Sequence, residues 1–406
     1  MNIIIVGLNY LPEPVGIGPY TAGMAESLAE EGQCVTVVCG KPYYPAWKID
    51  PAFAGDGVSI SVERGVRVVR LPLYVPSSPT GRRRLLHHAS FAARAAVAMF
   101  TEGRRLKPDI VIGIAPSLIS SSVARLAART LDAKLWLHIQ DFELDAAFAT
   151  GLLSDGGVPA RVARYFESWS LSADRLSTIS PQMRSKLVEL GIPYEKTTEF
   201  RNWASIDNVT PLQGASSYRA EWGISRPHVA LYSGNIANKQ GIEIIIKAAR
   251  ILSGRRDLIF VICGNGPNRK RLVEASSGLD NVRFFDLQPM ERLSDLLGLA
   301  TVHLLPQIGS AADLVLPSKL GNMLASGRPV VATAAAGTGL AAEVEGCGII
   351  TAPEDAAAFA AAILTLIDDD EFRKQLGRSA RKRALERWSK FQILKRFRQE
   401  LSACVS

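Results

Sequence analysis

DLVLPSKLGNMLASGRPVV, Asp313 to Val331, places an acid, a Pro-Ser-Lys step and an amide ahead of a run of small residues, then Gly-Arg-Pro and an apolar segment. The order reads as a loop, a buried helix and a strand. Ala325-Ser326-Gly327 are small enough to let that helix lie close against a sheet. Ser318 stands where a helix N-cap belongs, and the amides beyond it face outward for an anion. Lys319 then falls in the first turn, where the helix dipole disfavours a cation. An anionic ligand such as a diphosphate removes that objection.

Outward from this stretch, strand and helix patterns alternate. Toward the amino terminus the strands are Val302–Leu305, Val282–Phe285, Leu258–Cys263 and Val229–Ser233, with helices between them; toward the carboxyl terminus come Pro329–Thr333 and Gly348–Thr351. Two further strand–glycine–helix junctions lie here. YSGNIANKQG carries Gly234, Asn235 and Lys239, and VICGNGPNRKRL carries Gly264 and Gly266. Three such junctions in one unit point to a nucleotide. The same rhythm runs through the first half, with strands near Asn2–Leu8, Cys34–Cys39, Val66–Leu71, Ile110–Ile114, Leu135–Ile139 and Leu176–Ile179. Helices are expected at Thr21–Glu31, Arg84–Leu106, Leu118–Thr130 and Pro159–Ser172. Between the halves, FRNWASIDNVTPLQGASS reads as a linker. At 406 residues the chain fits two domains. Apolar strands alternating with helices imply two doubly wound parallel sheets, whose ligands bind beyond the carboxyl ends of the strands, in a cleft between the units.

Composition narrows the function. The mean hydropathy of +0.10 and 21% charged residues are those of a globular protein. No uncharged run is long enough to span a bilayer, and the amino terminus reads as a strand rather than a signal peptide. Five scattered cysteines without C-x-x-C spacing read as buried thiols in a reducing compartment, not a zinc site or disulfide frame. Gly16 and Gly18 precede a helix but lie too far from their strand for a dinucleotide fingerprint. Neither a catalytic triad nor a metal-binding spacing is legible. WLHIQDFELD sets His138 and Gln140 on one face of a strand, with Asp141, Glu143 and Asp145 beyond its carboxyl end. The net charge of +8 is uneven: ten Arg/Lys accompany one acid between Arg64 and Lys107, and eleven accompany one acid between Arg373 and Arg398. Such a surface suits an anionic lipid layer or nucleic acid.

These residues together resemble the retaining, nucleotide-sugar-dependent glycosyltransferases of family 4, of GT-B architecture and of the colanic-acid and exopolysaccharide type. The likeness is carried by NYLPEPVGIGPYT, KPYYPAW, LPLYVP, LHIQDFELD, TIS, RNW, LYSGNIANKQGIE and AADLVLPSKLGNMLASGRPVV, nearly the whole chain. It implies two Rossmann-like domains: an acceptor domain over residues 1–203, membrane-facing, and a nucleotide-sugar donor domain over 204–380. Residues 381–406 then form a helix that returns to the first domain. By the same resemblance, Gly16 and Gly18 match the glycine loop that approaches the donor diphosphate. Lys239, Lys319 and Ser318, with Leu316 and Pro317 leading in, hold that diphosphate. Gly234, Asn235, Gly264 and Gly266 line the nucleotide pocket, and Leu287 meets the base. Asp313 stands beside the donor sugar, and His138 and Asp141 stand beside the reacting carbon. The chain departs from the family pattern at Asn322, where an acid usually binds ribose, at Asn235 in place of Arg, and at Gln240 in place of Lys. The phosphate charge then rests on Lys239 and Lys319.

The function implied is transfer of a sugar from a GDP- or UDP-sugar to a lipid-linked saccharide, with no cofactor, no metal and no nucleic acid. The expected location is the cytoplasm, on the inner face of the membrane. The two basic segments are expected to share one face, with Arg82, Arg83, Arg84, Leu85, Leu86 and Phe91 reaching the lipid. A nucleotide-sugar epimerase of similar architecture and a nucleic-acid-binding protein are the rival readings; the latter lacks an aromatic stacking motif.

Overall fold

The computed structural model describes residues 1–14, 16–78, 81–115, 118–142, 161, 165, 168–236, 240–308 and 316–405. It divides into two units, Met1–Arg201 with Leu394–Ser406, and Asn202–Ile393.

The first unit is built on an eight-stranded sheet. Its strands are β1 (Asn2–Val6), β2 (Cys34–Gly40), β3 (Ser59–Glu63), β4 (Val66–Leu71), β5 (Ile110–Ala115), β6 (Lys134–Ile139), β7 (Arg175–Thr178) and β8 (Thr197–Glu199). They lie in the order β3-β4-β2-β1-β5-β6-β7-β8. Every pairing is parallel except β3 with β4. The expected parallel sheet thus carries one antiparallel edge strand that the sequence reading did not include. Its residues are largely exposed, so SISVE carries no buried apolar run to announce it. The central strands do carry one: Ile3, Ile4, Ile5, Val37, Val38, Val111 and Ile112 are fully buried.

Helices cover both faces, and strand alternation decides which residues meet them. On one face, α2 (Gly81–Leu106) and α3 (Leu118–Thr130) pack against the sheet. Phe91, Ala95 and Met99 of α2 join Ala124 and Ala128 of α3, Val69, Val111, Leu135 and Leu137 in one core cluster. On the opposite face of β6, Trp136 meets Phe397 of the C-terminal helix Lys390–Val405, ring centroids 5.2 Å apart. Phe397 also stacks on Phe200 at 4.5 Å. Arg398 donates to Ser27 of α1 (Gly18–Glu30) at 2.6 Å, and Glu400 holds Arg175 and Thr198. The last helix thus returns to the first unit from Leu394 onward. The basic residues it carries from Lys395 onward lie across the sheet from α2 and do not share its face. Helix Asp370–Arg387, the rest of the second basic segment, belongs to the other unit.

The second unit has six parallel strands: β9 (His228–Ser233), β10 (Leu258–Cys263), β11 (Val282–Phe285), β12 (Val302–Leu305), β13 (Val330–Thr333) and β14 (Gly348–Thr351). Their order is β11-β10-β9-β12-β13-β14. The chain leaves β9 toward β10 and β11, then crosses back to place β12 on its other side. The loops after β9 and β12 therefore diverge at the topological switch point, where open α/β sheets bind ligands.

Among the described residues, no helix is long and apolar enough to cross a membrane. All five cysteines are free; Cys39, Cys263 and Cys347 are buried, but Cys34 is exposed and Cys404 half-buried, which corrects the reading of five buried thiols. The helix expected at Pro159–Ser172 falls mostly outside the described residues.

Candidate functional site

At the switch point of the second sheet, β9 ends in Tyr232-Ser233-Gly234. Gly234 has φ +137, a backbone state that side chains rarely adopt. The Tyr232 hydroxyl donates to the Asn235 carbonyl at 2.6 Å and pins the turn. The loop after β12 is pinned in turn: Gln307 N–H donates to Thr333 Oγ1 at 2.7 Å, and that hydroxyl donates to the Gln307 carbonyl at the same distance. The two loops touch, since a Cβ on Gly241 would sit 3.0 Å from Ile308 Cγ2.

Lys319 opens helix Lys319–Ala325, whose Leu320, Met323 and Leu324 are fully buried in the core beneath. Its stem is partly exposed, yet its ammonium is enclosed and has no hydrogen-bond partner among the described residues. Nζ lies 3.9 Å from the centre of the Tyr232 ring, and a Cβ on Gly234 would come within 3.6 Å of it. Burial pushes its pKa down to about 7. An enclosed cation without a counter-charge is costly. The ring quadrupole offsets part of that cost. An anion bound over Gly234 would offset the rest, and the absence of a Cβ there leaves it room. This geometry suits an anion between Lys319 and the strand-end glycine.

The other expected residues fall variously. Leu316 and Pro317 are half-buried and lead into the helix, with Leu320 N–H bonded to the Pro317 carbonyl at 2.9 Å. Ser318 occupies the N-cap position in a helical conformation and makes no capping bond, which corrects the reading of its hydroxyl as a cap; the side chain is exposed. Asn322 spends its amide oxygen on Ser205 N–H at 2.8 Å, which leaves its NH2 for a ligand hydroxyl. Asn235 and Leu287 are exposed, Leu287 in the loop beyond β11. Lys239 and Asp313 lie outside the described residues.

Gly264 and Gly266 also have a packing role. A Cβ on Gly264 would stand 1.9 Å from the Gly234 carbonyl oxygen, and one on Gly266 would stand 2.3 Å from that of Ile236. The side on which each would carry a Cβ is filled by the neighbouring loop. Gly234 N–H donates to the Cys263 carbonyl and Ile236 N–H to that of Asn265, both at 2.9 Å. These glycines let two backbone turns cross, which holds Gly234 beneath Lys319.

In the first unit, Gly16 is exposed with φ +77, and Gly18 is buried with the Tyr10 backbone 3.1 Å from where its Cβ would be. Their loop is organised by a residue that sequence reasoning missed. Glu13 is buried, accepts from the N–H groups of Tyr43 and Tyr44 at 3.0 Å each, and accepts from Asn9 Nδ2 at 2.8 Å. It ties the glycine loop to KPYYPAW. The only signal was a lone acid inside an otherwise uncharged loop rich in Pro and Gly.

His138 is enclosed. Its ring is buried, with Nδ1 2.9 Å from Ser177 Oγ and Phe200 packed 4.9 Å away. The same hydroxyl accepts from Trp136 Nε1 at 2.8 Å. Burial pushes the histidine pKa down to about 3, so the ring is neutral, and its Nε2 is buried without a hydrogen-bond partner among the described residues. Asp141, beyond β6, is exposed and accepts from Phe142 N–H at 2.9 Å. Among the described residues, no three His, Cys, Asp or Glu side chains gather as a metal would require.

Comparison with known proteins agrees with this architecture. Residues 15–203 match the family described as Glycosyl transferase 4-like domain, and residues 216–383 match Glycosyl transferases group 1. WcaI of Escherichia coli K12, named as a colanic acid biosynthesis glycosyl transferase, is 40% identical over 374 residues, 89% of this chain and 91% of its own. Among solved structures, sucrose-phosphate synthase from Thermosynechococcus elongatus aligns with a TM-score of 0.73 at 19% identity, covering 99% of both chains. HepE of Anabaena, solved in complex with UDP, aligns with a TM-score of 0.73 at 16% identity, over 99% of this chain and 100% of its own.

Proposed function

Because the chain belongs to the GT-B glycosyltransferases, with a 4-like first domain and a group 1 second domain of the colanic-acid type, we propose that it moves a sugar with retention from a nucleoside-diphosphate sugar to a lipid-linked saccharide. The donor is a GDP- or UDP-sugar, and the product enters an exopolysaccharide or capsule. The enzyme works in the cytoplasm, at the inner face of the membrane.

The observation that carries this reading is the enclosed ammonium of Lys319 beside Gly234, without a hydrogen-bond partner among the described residues. When the bond from the sugar's anomeric carbon to the diphosphate oxygen breaks, negative charge grows on the leaving group. Lys319 and Lys239 stabilise that charge, and such preorganised charge is commonly the largest single term in transfer chemistry. The acceptor hydroxyl attacks from the side the diphosphate leaves, and its proton passes to the departing phosphate oxygen. Retention then needs neither a protein nucleophile nor a metal or other cofactor. Asp141 and Asp313 orient the reacting sugars. The UDP found in HepE supports a uridine donor as the first to test.

The two rival readings are not favoured, since both matched families are glycosyl transferases. A thermal-shift panel of GDP, UDP and their sugars names the base. With that donor, Lys319→Ala and Lys239→Ala should each lower turnover by about 100-fold. Full turnover in both variants would overturn the diphosphate assignment.

A further inference from the structure

The outer side of α2 carries a stripe that no other part of the chain covers among the described residues. Phe91, Ala95 and Met99 face the core, which turns Leu86, Ala93, Val97, Phe100 and Arg104 outward along the opposite side, at helical spacing. Leu85, Leu86 and Val97 are 61%, 60% and 67% exposed, and Phe100 is 42% exposed. Phe91, expected at a lipid surface, is instead fully buried.

Charge flanks this stripe on one sign only. Arg83, Arg84, Arg94 and Arg104 are exposed, and the Arg104 guanidinium lies 4.6 Å over the Phe100 ring. The single acid of α2, Glu102, is buried and held by Arg67 and Arg105 at 3.0 and 2.8 Å. The adjacent α3, on the same sheet face, has no acid and adds exposed Leu126 and Arg129. The exposed acids nearest these helices, Asp109 and Asp132, lie in the loops that follow their last turns, at the amino-terminal ends of β5 and β6.

We propose that α2, flanked by α3, is the membrane-docking element: it lies along an anionic lipid surface with its apolar side chains among the acyl chains and its arginines at the headgroups. Apolar area and one-sign charge on the same helix face are what an interfacial helix needs. An aqueous protein partner of ordinary composition offers no reason for every exposed charge to be positive.

The placement also has a direction. The amino-terminal turn of α2 meets KPYYPAW: His87 packs on Tyr43 with ring centroids 4.6 Å apart, and Arg84 lies 5.9 Å over the Trp47 ring. Glu13 ties that segment to the Gly16 loop. A helix docked along its outer face therefore sets the carboxyl ends of β1 and β2 next to the lipid headgroups, where a lipid-linked acceptor presents its sugar. The inference deepens the reading of a lipid-linked acceptor but does not depend on the donor chemistry.

The test is flotation of the full chain with phosphatidylcholine vesicles, with and without phosphatidylglycerol, at low and high salt. The expected result is binding that requires the anionic lipid and weakens with salt. Val97→Glu with Phe100→Glu should reduce it at least tenfold, and Arg83→Ala with Arg94→Ala should weaken it and flatten the salt dependence. Leu126→Gln on the flank should have the smaller effect. All the substituted side chains are exposed, and unchanged thermal unfolding and nucleotide-induced stabilisation verify the fold. Nucleotide binding without vesicle binding overturns the docking proposal and leaves the transferase reading standing. A dimer in sedimentation that Val97→Glu dissolves, with no vesicle binding, would make the stripe a contact between copies and overturn it equally.

Discussion

Lys319 joins an energetic burden to a function. In the ligand-free protein its ammonium is enclosed, and burial lowers its pKa to about 7 from the 10.5 of a free lysine. A base whose folded pKa is depressed binds fewer protons folded than unfolded between those values. Stability should therefore rise with pH from about 7 to about 10.5, and below 7 the full penalty remains. Ligand binding has the opposite dependence. A bound diphosphate favours the ammonium, so nucleotide affinity should fall as pH climbs above 7, with proton uptake detectable by calorimetry in buffers of different ionisation enthalpy. Lys319→Met should flatten that profile. It should also stabilise the ligand-free protein, by on the order of 1 kcal/mol in thermal unfolding, because a buried unpaired charge is gone. A variant at once more stable and unable to bind nucleotide is the outcome a merely structural lysine would not give.

Among the elements, the loops at the carboxyl ends of β9 and β10 cross at van der Waals limits. Gly264→Ala should destabilise the second unit by about 3 kcal/mol or more, since its Cβ meets a carbonyl oxygen at a backbone angle alanine avoids. Gly254→Ala, with nothing within 4 Å of its added carbon, serves as the control and should change little. Denaturant unfolding checks both. The strand–glycine–helix junctions were legible because an apolar run, a glycine and a helical pattern are local features. Which way each glycine faces was not, since that depends on the adjacent strand. The edge strand β3 was missed for the same reason: its residues are exposed, and only its pairing with β4 makes it a strand.

In the whole molecule, the C-terminal helix completes the first unit. Phe397 rests on Trp136 and Phe200, and Glu400 joins Arg175 and Thr198. Phe397→Ala should cost about 3–5 kcal/mol of stability. It should lower the transition of the first unit while nucleotide-induced stabilisation of the second persists; calorimetry with and without nucleotide would separate the two. Periodicity alone was enough to predict two doubly wound α/β units, because alternating apolar strands and helices admit few other arrangements; the segment read as a linker instead buries Ala204, Ile206 and Val209 in the core of the second unit. Tertiary structure alone decided that Lys319 lies over Tyr232 with no partner among the described residues, that His138 is sealed against Phe200 and Ser177, and that the basic helix α2 lies across the sheet from the returning C-terminal helix. Each of those depends on which strands become neighbours and on which face a residue lands, and segments far apart in the chain settle such matters only when they pack.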